Sequence, residues 1–136
     1  MKKSTIKRLL CATAVAASLV CSGSIVSAGT ISFTVTVGGS GTQDPLSRRE
    51  IKTADGDKYA YFTGKTFSKK SAGIYVRSYN LNNSTIYSGQ EFLMDVNAGI
   101  VQKAQYKNGY APGGEYYYMK SEAQTKRVTV TGNYCP

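Results

Sequence analysis

The chain predicts an all-β fold, a small antiparallel β-sandwich or barrel of about six to eight short strands, preceded by a cleavable signal peptide. Three observations point there. Eleven Tyr, four Phe and no Trp make up the aromatic content, and Tyr, Val, Ile and Thr suit a pleated, half-buried surface. Turn-forming residues recur every 8 to 15 positions beyond residue 38, and no segment keeps a helical period. The three Pro residues, at 45, 112 and 136, fall in loops or at the end, so none interrupts an expected strand.

In chain order, the leader comes first. Lys2, Lys3, Lys7 and Arg8 form a cationic start, Leu9 to Val20 an uncharged apolar run, and Gly23 breaks it. Val26-Ser27-Ala28 supplies the small residues a signal peptidase requires, which predicts cleavage between Ala28 and Gly29. A twelve-residue run is short of the roughly 20 residues that span a bilayer. The expected organisation is therefore a signal peptide over 1–28 and a single secreted β domain over 29–136.

Ile31 to Val37 alternates apolar and hydroxyl residues, predicting a strand with Ile31, Phe33, Val35 and Val37 inward and Ser32, Thr34 and Thr36 outward. Gly38 to Thr42 ends it. Asp44-Pro45 can cap a short helical turn over Ser47 to Glu50, although an exposed loop suits those residues equally. Asp55-Gly56 is a turn signal before a strand over Lys58 to Thr63, and Gly64 to Ser71 reads as a Lys-rich connection. Ile74 to Tyr79 alternates again, with Tyr75, Arg77 and Tyr79 on one face. A turn follows at Asn80 to Asn83. Thr85 to Tyr87 and Glu91 to Asp95 are short apolar runs, and Ile100 to Tyr106 reads as a strand. Asn108-Gly109 and Pro112-Gly113-Gly114 are turns. Glu115 to Lys120 is a strand with aromatics on both faces, and Tyr116, Tyr118 and Lys120 share one of them. Arg127 to Thr131 closes with clean alternation.

Export changes the charge. The whole chain carries 17 basic and 8 acidic residues; losing Lys2, Lys3, Lys7 and Arg8 leaves 13 against 8, a net of +5. That surplus favours anionic surfaces, and outside a bacterial cell those are wall polymers and lipid headgroups. Nucleic acid is not an expected partner. Cys11 and Cys21 leave with the signal, so Cys135 cannot form an internal bridge. It allows a structural thiol or an intermolecular disulfide that would give a covalent dimer.

Composition removes many chemistries. Without His there is no Ser-His-Asp or Cys-His mechanism and no His-ligated zinc. Gly64-Lys65-Thr66 resembles the end of a phosphate-binding loop, but Tyr59 stands where that pattern needs Gly. Asp55-Gly56-Asp57 lacks the rest of a calcium loop. No cofactor or metal is expected. Two carboxylates among Glu91, Asp95, Glu115 and Glu122 could still pair for acid–base hydrolysis. Beyond these, Tyr75, Arg77 and Tyr79, with Tyr116, Tyr118 and Lys120, form a candidate binding face. Tyr offers large contact area at low entropic cost, and the cations add affinity for anions. The competing role for these rings is core, because a chain poor in Phe must bury Tyr somewhere.

Gly114 to Lys120, followed by Val128-Thr129-Val130-Thr131-Gly132-Asn133-Tyr134-Cys135-Pro136, resembles the ending of small uncharacterised secreted proteins of Gram-positive bacteria. Those close with a Gly-x-x-Tyr strand and then Val-x-Val-x-Gly-x-Trp-x-Pro. Tyr134 stands in place of the Trp here, and Cys135 is an addition. The resemblance implies secretion and a small all-β fold, and it carries no activity. The function expected is a non-enzymatic secreted binding protein that engages an anionic cell-surface component or a partner protein through its Tyr/Lys face, bacteriocin-like in one version. The alternatives are a self-assembling surface protein that pairs through edge strands and a small carboxylate-dependent hydrolase.

Overall fold

Apolar and polar residues alternate along most of the strands, and that alternation sorts the chain into two layers. The computed structural model describes residues 29–38, 46–123 and 126–136. The leader over 1–28, including Ala28, and the Asp44-Pro45 cap lie outside the described residues. Eight strands are present among them: β1 Ile31–Val37, β2 Glu50–Ile51, β3 Tyr59–Phe67, β4 Gly73–Asn80, β5 Glu91–Met94, β6 Gln102–Gln105, β7 Tyr116–Ala123 and β8 Val128–Cys135. They form two four-stranded antiparallel sheets, ordered β1-β8-β3-β6 and β2-β7-β4-β5, and the fold is a small β-sandwich.

The core lies between the sheets. One contributes Phe33, Val35, Val37, Val128, Val130, Tyr134, Ala60, Phe62 and Ala104; the other contributes Ile74, Val76, Leu93, Tyr117 and Met119. Along most strands the residues that alternate with these face outward, as period-2 geometry requires, whereas Cys135 beside Tyr134 is also buried. On the outside of the first sheet the hydroxyls pair laterally. Thr36 Oγ1 lies 2.8 Å from Thr129 Oγ1, and Thr66 Oγ1 lies 2.5 Å from Thr131 Oγ1.

Tyr completes the core, as a Phe-poor chain requires. Tyr106, Tyr117 and Tyr134 are fully buried. Their hydroxyls are satisfied inside: Ser78 Oγ meets Tyr106 Oη at 2.7 Å and Tyr134 Oη at 2.5 Å, and Tyr117 donates to the Pro112 carbonyl at 3.0 Å. Ser78 N donates in turn to Ser88 Oγ at 3.0 Å.

Three local expectations are corrected. No helical turn forms over Ser47 to Glu50, because β7 takes the backbone groups: Ser47 N donates to the Met119 carbonyl at 2.9 Å, and Glu50 pairs with Tyr117. The Lys-rich connection begins later than expected, since β3 runs through Gly64 to Phe67 by way of a bulge that leaves Lys65 unpaired against β8. The strand expected from Ile100 starts at Gln102, and Ile100 and Val101 are exposed.

Candidate functional site

Register brings the two halves of the candidate face together. β4 and β7 are neighbours, with Arg77 opposite Lys120, Tyr79 opposite Tyr118 and Tyr75 opposite Glu122. The inner faces of these strands are occupied by Ile74, Val76, Tyr117 and Met119, so the outer residues are not needed for the core. Tyr75, Arg77, Tyr79, Tyr118 and Lys120 are half-buried, and Tyr116 is 46% exposed beside Ile51 of β2.

The rings form a row. Tyr79 stacks on Tyr118 with centroids 5.8 Å apart and planes 18° from parallel, and it meets Tyr87 on its other side at 5.8 Å and 35°. Tyr75 packs on Phe92 of β5 at 4.8 Å. Sequence reasoning missed Tyr87, Phe92 and Lys107. Tyr87 and Lys107 stand outside the strands, where no periodic signal marks a face; Phe92 sits in a strand of four residues, too short to show one.

Cations border this row. The Arg77 guanidinium carbon lies 5.3 Å from the Tyr87 ring centre, and Lys107 Nζ lies 5.2 Å from it. Both distances are within cation–π range. Lys120 Nζ is 3.7 Å from Glu122 Oε1. Arg77 Nε is buried and has no hydrogen-bond partner among the described residues.

The four candidate carboxylates do not converge on one point. Asp95 follows β5 at the Gly73 end of β4, where it accepts from Ser71 N at 3.3 Å. Glu115 sits at the other end, bonded to the Asn80 amide. An eight-residue strand separates those ends by about 24 Å. Glu122 lies outside, opposite Tyr75, whereas Glu91 pairs with Val76 and shares its inner face. Burial pushes the Glu91 carboxyl above the usual range. Among the described residues, no three Cys, Asp or Glu gather closely enough to hold a metal ion.

Cys135 is 5% exposed, with its thiol 3.7 Å from the Pro136 carbonyl. A disulfide to a second copy would require the end of β8 to open. Nearby, Lys52 is 2% exposed and donates from Nζ to the Pro136 carbonyl at 3.1 Å, with the Tyr106 ring centre 5.4 Å away. Burial pushes its ammonium down, opposed by Asp57 and Asp55. Nothing in the sequence distinguishes this lysine from a surface one. Gly29, on the mature side of the expected cut, has φ +142° and packs against Glu50 and Ile51.

A groove of about 420 Å³ runs beside edge strand β1, lined by Ser32, Phe33, Thr34, Leu46, Ser47 and Arg48, and it contains none of the predicted face residues. Comparison with family models, with curated proteins and with solved structures finds no match.

Proposed function

We propose that this chain is a secreted, non-enzymatic binding protein that engages an anionic component of the bacterial surface through the outer face of β4 and β7. The observation that carries this reading is the continuous row Tyr118–Tyr79–Tyr87 with Arg77 and Lys107 against its end. Tyrosines already packed on one another lose little freedom when a ligand arrives, so less of the contact energy is spent on ordering. The cations attract the ligand and are screened by salt over about 8 to 10 Å at physiological strength.

Sedimentation with purified Gram-positive cell walls tests this. The protein should pellet with walls at low salt and be released as salt rises, and Tyr79→Ala should weaken retention while leaving the fold intact by circular dichroism. Retention indifferent to salt, or unchanged in Tyr79→Ala, would remove this face from the account.

A further inference from the structure

Resting on that reading, we infer that the ligand is a polyol-phosphate polymer, with phosphates seated by Arg77, Lys107 and Lys120 and neutral units lying along the tyrosine row. Arg77 and Lys120 stand directly opposite one another on one face of the sheet. Like charges in that position destabilise a strand pair, where opposite charges or aromatics would stabilise it. Glu122 offsets Lys120 at 3.7 Å, but Arg77 and Lys107 form no ion pair among the described residues. A positive cluster kept against that penalty fits an anion held between its members.

The guanidinium adds a second reason. Arg77 Nε is shielded from solvent and lacks an acceptor among the described residues, and a buried donor left unsatisfied is destabilising. It finds an acceptor by turning outward, where paired oxygens of a phosphate take Nε–H and Nη–H together, the two-pronged geometry particular to Arg.

The geometry also separates charge from rings. Lys120 and Arg77 form one row across the strands and Tyr118 and Tyr79 the next, two residues or about 6.8 Å along. A backbone of phosphodiesters bearing uncharged, hydroxylated units presents charge and neutral surface in that way. A simple carboxylate polymer offers no neutral units for the tyrosines. The rings lie against each other on the sheet, which suits a chain laid across them better than insertion among acyl chains.

Calorimetric titration of the purified protein at low salt tests the assignment, using poly(glycerol phosphate), poly-γ-glutamate of equal charge and phosphatidylglycerol vesicles. Poly(glycerol phosphate) should bind about tenfold tighter than poly-γ-glutamate, and Arg77→Gln or Lys107→Gln should each weaken it about tenfold, the loss of one charge-assisted contact. Arg77→Lys should also weaken it, because the charge stays and the fork is lost. Lys103→Gln, which removes a cation over Tyr59 on the other sheet, should change nothing. Equal affinity for poly-γ-glutamate would overturn the phosphate assignment and leave a face that reads charge alone. Tighter binding to vesicles would overturn the polymer in favour of a membrane. Equal loss in Lys103→Gln would show bulk charge at work and also overturn the seat. Protein that still pellets with walls but binds none of the three probes fails this inference only. Protein that no longer pellets with walls fails the binding reading itself.

Discussion

At Gly132, β1 and β3 close on β8 so tightly that a Cβ would meet the Thr63 carbonyl and come within 2.7 Å of the Phe33 ring. Gly132→Ala should therefore destabilise the fold by about 1–3 kcal/mol through overpacking, read as a lower urea midpoint with unchanged slope. Ser78 is specified for a different reason. Its hydroxyl serves both Tyr106 and Tyr134 in the core. Ser78→Ala should cost about 1–3 kcal/mol in the same assay, because buried phenols lose their partner. Alternation from Ile74 and Val76 does place Ser78 on the inner face, but the residue type does not reveal that its hydroxyl serves two phenols. Lys52 is the same case in reverse, a lysine whose burial follows from where β2 leaves the chain.

Among the elements, β1, β4 and β8 were legible because alternation over five or more residues leaves one face to bury, and β7 because a run of Tyr suits a strand even with aromatics on both faces. β2 was not, because two residues carry no pattern and are held by the edge of β7. The full length of β3 was hidden by Gly64 and Lys65, which read as a loop and form a bulge. The bulge gives a test. Deleting Lys65 leaves Gly64 opposite Gly132 and Thr66 opposite Thr131, so every other side chain keeps its face. Deleting Thr63 without the bulge would bring Lys65 opposite Gly132 and turn it into the core. The Lys65 deletion should thus fold with a melting temperature near that of the parent, and the Thr63 deletion should unfold far lower or fail to fold. The candidate face was half legible in the same terms: the six strand residues follow from alternation, whereas Tyr87 and Lys107 reach it from outside the strands.

For the whole molecule, burial raises the phenols of Tyr61, Tyr106, Tyr117 and Tyr134 above the ordinary value of 10.0. Above pH 10 the unfolded chain sheds protons that the folded one keeps, so stability falls by about 1.4 kcal/mol per pH unit for each fully buried phenol. Lys52 acts in the opposite direction. Its lowered value means that stability withheld at neutral pH returns as pH rises towards 10.5. The phenols outnumber it. The tyrosinate absorbance of Tyr106, Tyr117 and Tyr134 should therefore appear only as the circular dichroism of the sheets collapses. Ionisation of these three with the sheets intact would contradict the packing. The binding claim is tested most directly by mapping backbone amide shifts in an NMR titration with solubilised wall polymer. The account predicts perturbations concentrated on β4, β7, Tyr87 and Lys107. Shifts centred instead on the hydroxyl face of β1 and β8, at Thr34, Thr36, Thr129 and Thr131, would contradict it.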